Sequence, residues 1–129
     1  MIVLDTHVLL WAVADSKKLS RAADAAIRRS RQADGVAISA ITLWELASLV
    51  ARGRIRDYGT VENSVNRLIE GVTIKPITPE IAALATQFPN DYPHDPADRL
   101  IGATARAEGL ALVTRDENIR KSPLLKTIW

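Results

Sequence analysis

The sequence has 129 residues, which suits one domain, and its 47% hydrophobic and 25% charged residues are ordinary for a globular protein. It has no cysteine and only two histidines, which excludes disulfides, thiolate chemistry and a three-histidine zinc site. The net charge is +2, no run approaches the roughly 18 apolar residues of a spanning helix, and no basic region opens the chain, so we expect a cytoplasmic protein without membrane contact.

The first half of the chain predicts two buried strands, each followed by helices. Short apolar runs predict the strands, and Ser20 is a typical residue for opening a helix. Basic residues near the end of that helix suit its dipole, and Gly53 is typical of a helix end. The predicted elements are strands 2–4 and 36–39 and helices 8–13, 20–31 and 42–52.

The second half continues the alternation. Pro76 favours an edge position for its strand, and Thr78-Pro79 and Asp95-Pro96 are typical helix starts. The predicted elements are helix 61–70, strand 72–77, a helix from Pro79, a loop at 88–93, helix 96–108, strand 110–114, a short helix from Asp116 and a short strand 126–129. Strands that alternate with helices predict one α/β domain, residues 1–129, with a parallel sheet between helices.

Acidic residues follow the strands. Asp5 comes directly after the first strand, Glu45 lies early in the helix after the second, and Asp116 follows the fourth. In an open parallel sheet, ligands bind at the carboxyl ends of the strands. We therefore expect these three side chains at one edge of the sheet.

Asp95 and Asp98 are predicted at the same edge because of the direction of their helix. Their helix leads directly into the fourth strand, so it must run antiparallel to that strand. About 13 residues at roughly 1.5 Å each are long enough to cross the sheet. The start of the helix, with both aspartates, is then predicted at the carboxyl edge.

Each acid also has a structural interpretation. Asp5, Asp95 and Asp116 could cap helices, with Asp98 as a first-turn acid, and Thr42-Leu-Trp-Glu45 fits a capping box. Together, however, so many like charges repel one another, and a hard divalent cation is the usual remedy. Oxygen ligands alone suggest Mg²⁺ or Mn²⁺. If Asp5, Glu45, Asp98 and Asp116 surround a cation, the rest of the chain has 17 basic and 11 acidic residues. This excess of positive charge suits a polyanionic substrate.

Four segments together resemble a PIN domain, and most closely a VapC-type toxin. They are MIVLDTHVLLW, ISAITLWELASL, HDPADRLIGATARAEGLALVTRD and the terminal TIW, and their order and spacing match across nearly the whole chain. The resemblance implies a three-layer α/β/α sandwich with a central, mainly parallel sheet of four to five strands. It also implies an endoribonuclease that uses Mg²⁺ or Mn²⁺.

The resemblance further assigns the site. It places the catalytic acids at Asp5, Glu45, Asp98 and Asp116, with Asp95 as an additional candidate ligand. Hydroxyl groups at Thr6 and Thr114 are expected to border the substrate site. The implied partners are an RNA substrate (transfer or ribosomal RNA), a cognate antitoxin that covers the site, and a second copy of the chain in a homodimer.

Other polar residues near the motifs have two interpretations each. Arg99 and Arg115 are candidate phosphate contacts, or else form surface ion pairs with neighbouring acids. His94 is a candidate contact for a phosphate or a metal-bound water. His7 could contact the substrate, but we expect it to be a structural part of the first helical turn. The basic stretch 52–56 either follows an RNA backbone or is a solvated loop. Trp11 and Trp44 are expected in the core, because they lie at helical positions among leucines.

Three other functions are compatible with an α/β domain of this kind. A non-catalytic RNA- or protein-binding module on the same fold is the main alternative, although no acid is missing. A phosphatase with Asp5 as nucleophile would need a second aspartate at the position of His7. A dinucleotide-binding oxidoreductase is excluded, because no Gly-x-Gly-x-x-Gly follows a strand.

Overall fold

Five short parallel strands form one sheet in the computed structural model, which describes residues 1–129. Their order is β3-β2-β1-β4-β5, with every neighbouring pair parallel. The strands are β1 Ile2–Leu4, β2 Val36–Ser39, β3 Val72–Lys75, β4 Leu112–Val113 and β5 Thr127–Ile128. The predicted edge position of the third strand is confirmed, and Pro76 lies just beyond its last paired residue.

Seven helices and one 3₁₀ turn connect the strands. They are α1 Thr6–Ala14, the 3₁₀ turn Ser16–Lys18, α2 Arg21–Gln32, α3 Ala40–Ala51, α4 Val61–Leu68, α5 Pro79–Ala85, α6 Pro96–Glu108 and α7 Glu117–Arg120. None of them is long and apolar enough to span a membrane. The expected helix starts at Ser20 and Thr78 are confirmed, because both side chains accept a hydrogen bond from a first-turn N–H.

The start of α3 differs from the prediction. The helix begins at Ala40, two residues earlier than expected, because Ser39 Oγ accepts a hydrogen bond from Ile41 N at 3.3 Å and acts as the N-cap. Thr42 therefore lies inside the helix and is buried. The capping box of Thr42 with Glu45 was wrong, and the Glu45 carboxylate is free for another role.

The core has two apolar layers, one on each face of the sheet. Alternate residues of a strand point to opposite faces. Leu4 packs in the layer of α1 and α2, whereas its neighbour Val3 packs in the layer of α5 and α6. Leu112 and Val113 divide between the layers in the same way. The three-layer α/β/α sandwich is therefore confirmed, with the sheet buried between helices.

Helix α6 approaches the preceding loop closely at Gly102. A Cβ atom at this position would lie 2.2 Å from Tyr92 Oη. The Tyr92 ring stacks on Phe88 with centroids 4.0 Å apart, and its hydroxyl donates to the Asp98 carbonyl at 3.1 Å. The glycine therefore makes room for the tyrosine that braces the first turn of α6.

Gly102→Ala should destabilise the protein by about 1–3 kcal/mol, because overpacking displaces Tyr92 and outweighs the gain in helix propensity. Urea unfolding measures this. The same substitution in a Tyr92→Phe background should be less destabilising, because the clashing hydroxyl is gone. Equal effects in both backgrounds would show that the hydroxyl is not the obstacle.

Candidate functional site

A pocket of about 500 Å³ opens at the carboxyl edge of the sheet. The five acids that the sequence predicts at this edge all line it, so the structure brings them together. Its lining residues are Asp5, Thr6, His7, Val8, Trp11, Glu45, Asp95, Asp98, Arg115 and Asp116. We call it the acidic pocket.

Asp5 is held rigidly between β1 and β4. Its backbone N–H donates to Val113 O at 3.0 Å, which continues the pairing of the two strands. One carboxylate oxygen accepts from Thr6 N at 2.9 Å and caps α1, and the other accepts from Thr114 Oγ1 at 2.8 Å. Asp5 is therefore both a helix cap and a member of the pocket.

Thr114 links two of the acids. Besides donating to Asp5, its hydroxyl oxygen accepts a hydrogen bond from Asp116 N at 3.1 Å. The side chain is fully buried, with 0% exposure. Thr114 therefore fixes the distance between the end of β4 and the end of β1, and it does not face the substrate as the sequence suggested.

Glu45 is positioned by a second buried threonine. Thr6 Oγ1 donates to Glu45 Oε1 at 2.5 Å and lies 3.0 Å from the Thr42 hydroxyl. Thr6 is 2% exposed but lines the acidic pocket, so it borders the site as expected, while its hydroxyl orients a carboxylate. This contact joins α1 to α3 and turns Glu45 toward the pocket.

Asp95 and Asp116 cap helices through one oxygen each. Asp95 Oδ1 accepts from Ala97 N at 2.8 Å and lies 3.4 Å from Asp98 N, at the start of α6. Asp116 Oδ1 accepts from Asn118 N at 2.8 Å and Ile119 N at 3.1 Å, at the start of α7. Because each cap uses Oδ1, Oδ2 of both residues remains for a ligand. The helix cap therefore leaves each of these acids an oxygen for the role that the sequence predicts.

None of the five acids forms an ion pair with a basic side chain. The four ion pairs of the chain all involve other acids. Burial, followed by repulsion from Asp5 and the other acids, raises the pKa of Asp98 to about 7. Burial also raises the pKa of Asp5 and of Glu45, against the hydrogen bonds from Thr114 and Thr6. The pocket thus concentrates five carboxylates around one arginine and one histidine, without an ion pair to any of the acids.

The donor set fits a hard divalent cation. Carboxylate oxygens are the ligands that Mg²⁺ and Mn²⁺ prefer, and a cation would relieve the repulsion that raises these pKa values. In the conformation described, no three acidic or histidine side chains are placed to hold a metal ion together. Binding would therefore draw the carboxylates inward.

Arg99 does not line the acidic pocket, although it follows Asp98 in sequence. Its guanidinium donates to backbone carbonyls of the preceding loop, and these contacts occupy its donors. The acceptors are the carbonyls of Ala85, Phe88, Pro89, Tyr92 and Pro93, at 2.9–3.5 Å. The expected phosphate contact is corrected to a clamp on residues 85–93.

Of the other two predicted phosphate contacts, only Arg115 lies at the acidic pocket. Arg115 lines the pocket, with its guanidinium carbon 5.9 Å from the Trp11 ring centroid, so it can reach a phosphate there. His94 does not line the pocket, and its Nε2 lies 3.0 Å from Asn90 O. His94 is therefore a loop contact in this structure.

Three aromatic residues near the pocket are more exposed than the sequence pattern predicts. Trp11 packs partly against the core, as expected, but it also lines the acidic pocket. Trp44 is 63% exposed, so its predicted core position was wrong. His7 is exposed and lines the pocket, which favours its alternative interpretation over a purely structural role. The only signal for Trp44 was its position next to Glu45.

The comparisons agree with this geometry. Residues 2–123 match the family described as PIN domain. The chain is similar to ribonuclease VapC22 of Mycobacterium tuberculosis (strain ATCC 25618 / H37Rv), with 42% identity over 130 residues, 99% of this chain and 98% of that protein.

Solved structures show the same fold at lower identity. VapBC2 from Rickettsia felis, bound to a DNA fragment from its promoter, has a TM-score of 0.71 and 19% identity, covering 98% of this chain and 97% of that one. A toxin–antitoxin complex from Klebsiella pneumoniae has a TM-score of 0.68 and 22% identity, covering 97% and 95%.

The raised pKa of Asp98 has a consequence for stability. In metal-free buffer the folded state binds a proton more tightly than the unfolded chain, so the free energy of unfolding should fall as pH rises from about 4 to about 7. Asp98→Asn removes the charge. It should stabilise the protein at pH 8 by about 1–2 kcal/mol, allowing for solvent screening of a partly exposed group, and have little effect at pH 4.

Urea unfolding in EDTA at both pH values measures the effect. Asp91→Asn is the matched control, because Asp91 is exposed and lies outside the acidic pocket. An equal effect of Asp98→Asn at pH 4 and pH 8 would contradict the assignment of the charge to this site.

Proposed function

The chain belongs to the PIN domain family, among the VapC ribonucleases, and we propose that it hydrolyses RNA phosphodiester bonds in the acidic pocket with a divalent cation. One observation carries the proposal: five carboxylates without basic partners line one open pocket at the sheet edge. On a module that only binds RNA, so many carboxylates would repel the phosphates, whereas a divalent cation makes use of them. The full-length similarity to a ribonuclease supports the same reaction.

The cation would be held by Asp5, Asp98 and Asp116, with Asp95 as a further ligand. Mg²⁺ or Mn²⁺ supplies Lewis-acid chemistry when bound, since it lowers the pKa of water and stabilises charge on the phosphate. Asp5 is the most firmly fixed of these ligands, because both of its oxygens accept hydrogen bonds. Asp98 accepts no side-chain hydrogen bond and can move toward the cation.

Glu45 is the candidate general base. Thr6 holds its Oε1, which leaves Oε2 to accept a proton from the attacking water. Its pKa is raised, chiefly by burial, so its conjugate acid is weaker and it accepts the proton more readily than an exposed glutamate. Water would attack phosphorus in line with the 3′ oxygen. The P–O3′ bond breaks, leaving a 5′-phosphate and, after protonation from solvent, a 3′-hydroxyl.

The remaining residues would place the RNA. The guanidinium of Arg115 faces the acidic pocket and suits a phosphate beside the scissile one. The exposed His7 ring borders the same opening. Transfer RNA and ribosomal RNA both remain candidate substrates, because none of these contacts selects a sequence.

We also propose that the chain is a toxin held inactive by a cognate antitoxin, and that it forms a homodimer. The similarity to a solved toxin–antitoxin complex supports the first of these partners. A cationic side chain of the antitoxin could neutralise the carboxylates, as a metal ion would. Coexpression with the antitoxin should therefore relieve growth arrest.

The purified protein should cleave RNA with Mg²⁺ or Mn²⁺ and lose this activity in EDTA. Asp5→Asn keeps the size of the side chain and removes its charge, so it should lower kcat by at least about 100-fold. Gel assays on several RNAs measure the rate, and end labelling checks for a 5′-phosphate. Cleavage that survives both EDTA and Asp5→Asn would refute the proposed site.

Thr114→Val tests whether the buried hydroxyl positions the site. It keeps the shape but removes the donor to Asp5 and the acceptor for Asp116 N, so activity should fall by about 10- to 100-fold. Thr104→Val is the matched control, because Thr104 is equally buried and donates only to Leu100 O within α6. Similar losses of activity in both variants would mean that the effect is general destabilisation.

A further inference from the structure

A second, smaller depression continues from the acidic pocket along α3. It shares Thr6, His7 and Glu45 with that pocket and extends to Trp44 and Arg52, with a volume of about 100 Å³. The shared residues make the two depressions continuous. Whatever occupies the acidic pocket can therefore extend directly into this one.

Trp44 and Arg52 are available on the same side of α3. Residues four apart lie on one face of a helix, so Trp44, Ser48 and Arg52 follow one another over about 12 Å. All three line the depression. Trp44 is the most exposed of the large hydrophobic side chains at 63%. Arg52 is exposed and belongs to none of the ion pairs.

An exposed indole and a guanidinium that forms no ion pair line the same depression, and this combination suits a particular ligand. Single-stranded nucleic acids bind where aromatic side chains stack on bases and cations contact the backbone. A protein-docking groove would instead present a larger apolar surface. Here the lining includes only two hydrophobic residues, Trp44 and Leu49, among polar and charged ones.

We propose that Trp44 and Arg52 form a subsite for an unpaired nucleotide of the RNA, next to the scissile phosphate in the acidic pocket. The base stacks on the indole, and the guanidinium binds a phosphate of the same strand. The inference deepens the proposed function and rests on it. It requires a single-stranded segment at the cut, because a base within a duplex is covered by its neighbours.

The test measures RNA binding apart from cleavage. The parent protein is the full chain with Asp5→Asn in EDTA, and the probe is a fluorescein-labelled single-stranded RNA of mixed sequence. In the parent background, Trp44→Ala should raise the Kd by about 10-fold, within the range typical of one stacked base. Trp44→Phe should stay within about 3-fold of the parent, whereas Trp44→Leu should resemble Trp44→Ala, because leucine keeps apolar area without a π face.

Two further readouts are specific to stacking and to the phosphate contact. RNA should quench the tryptophan fluorescence of the parent, and Trp44→Phe should lose part of this quenching while it keeps affinity. Arg52→Gln should weaken binding and reduce its dependence on salt. The matched control is Arg29→Gln, since Arg29 is an exposed, unpaired arginine of α2 outside both depressions.

Several outcomes would overturn the subsite. Equal Kd values for the parent and Trp44→Ala would do so, and so would full affinity in Trp44→Leu. A change of oligomeric state in Trp44→Ala, measured by sedimentation, would assign the surface to contacts between copies of the chain. The proposed function fails separately: then the parent binds no RNA, and the wild-type protein cleaves none with Mg²⁺ or Mn²⁺.

Discussion

Mutual repulsion among five carboxylates at one sheet edge is the constraint to which the rest of the site responds. Parallel strands deliver their carboxyl ends, and the helices that follow them, to the same place. Ion pairs with arginine or lysine would be one way to stabilise such a cluster, but none of the five acids forms one. The protein instead uses buried hydroxyl groups: Thr114 donates to Asp5, and Thr6 donates to Glu45. A hydroxyl orients a carboxylate and leaves its charge in place, so the attraction for a cation is preserved.

Helix capping lets the fold and the site use the same side chains. Asp5, Asp95 and Asp116 each accept hydrogen bonds from N–H groups at the start of a helix, which would otherwise lack partners. The positive end of the helix dipole also favours a negative side chain there. Asparagine in place of one of these aspartates would still accept most of the N–H hydrogen bonds, but it would carry no charge. The capping role and the proposed catalytic role are therefore compatible with the same residue type at these positions.

The sequence predicts the alternation of strands and helices, the edge strand and the convergence of the acids, because these depend on hydrophobic pattern and chain connectivity. It does not predict which serine or threonine caps α3. Ser39 and Thr42 are both good N-cap residues, and the tertiary contact between Thr6 and Glu45 accompanies the earlier start. Trp44 is a similar case. Helical periodicity places it among leucines, but α3 buries Thr42, Leu46 and Val50 and leaves Trp44 outside.

Arg99 shows why sequence proximity is a poor guide to electrostatic pairing. It is adjacent to Asp98, yet it donates to the carbonyls of the loop before α6. Those carbonyls come together only when residues 85–93 fold against α6, and Gly102 allows that approach by making room for Tyr92. The same packing that orders the loop thus holds the Arg99 guanidinium outside the acidic pocket. Asp98 forms no ion pair, and burial and repulsion from the other acids raise its pKa to about 7. A cation bound in the acidic pocket would relieve that repulsion.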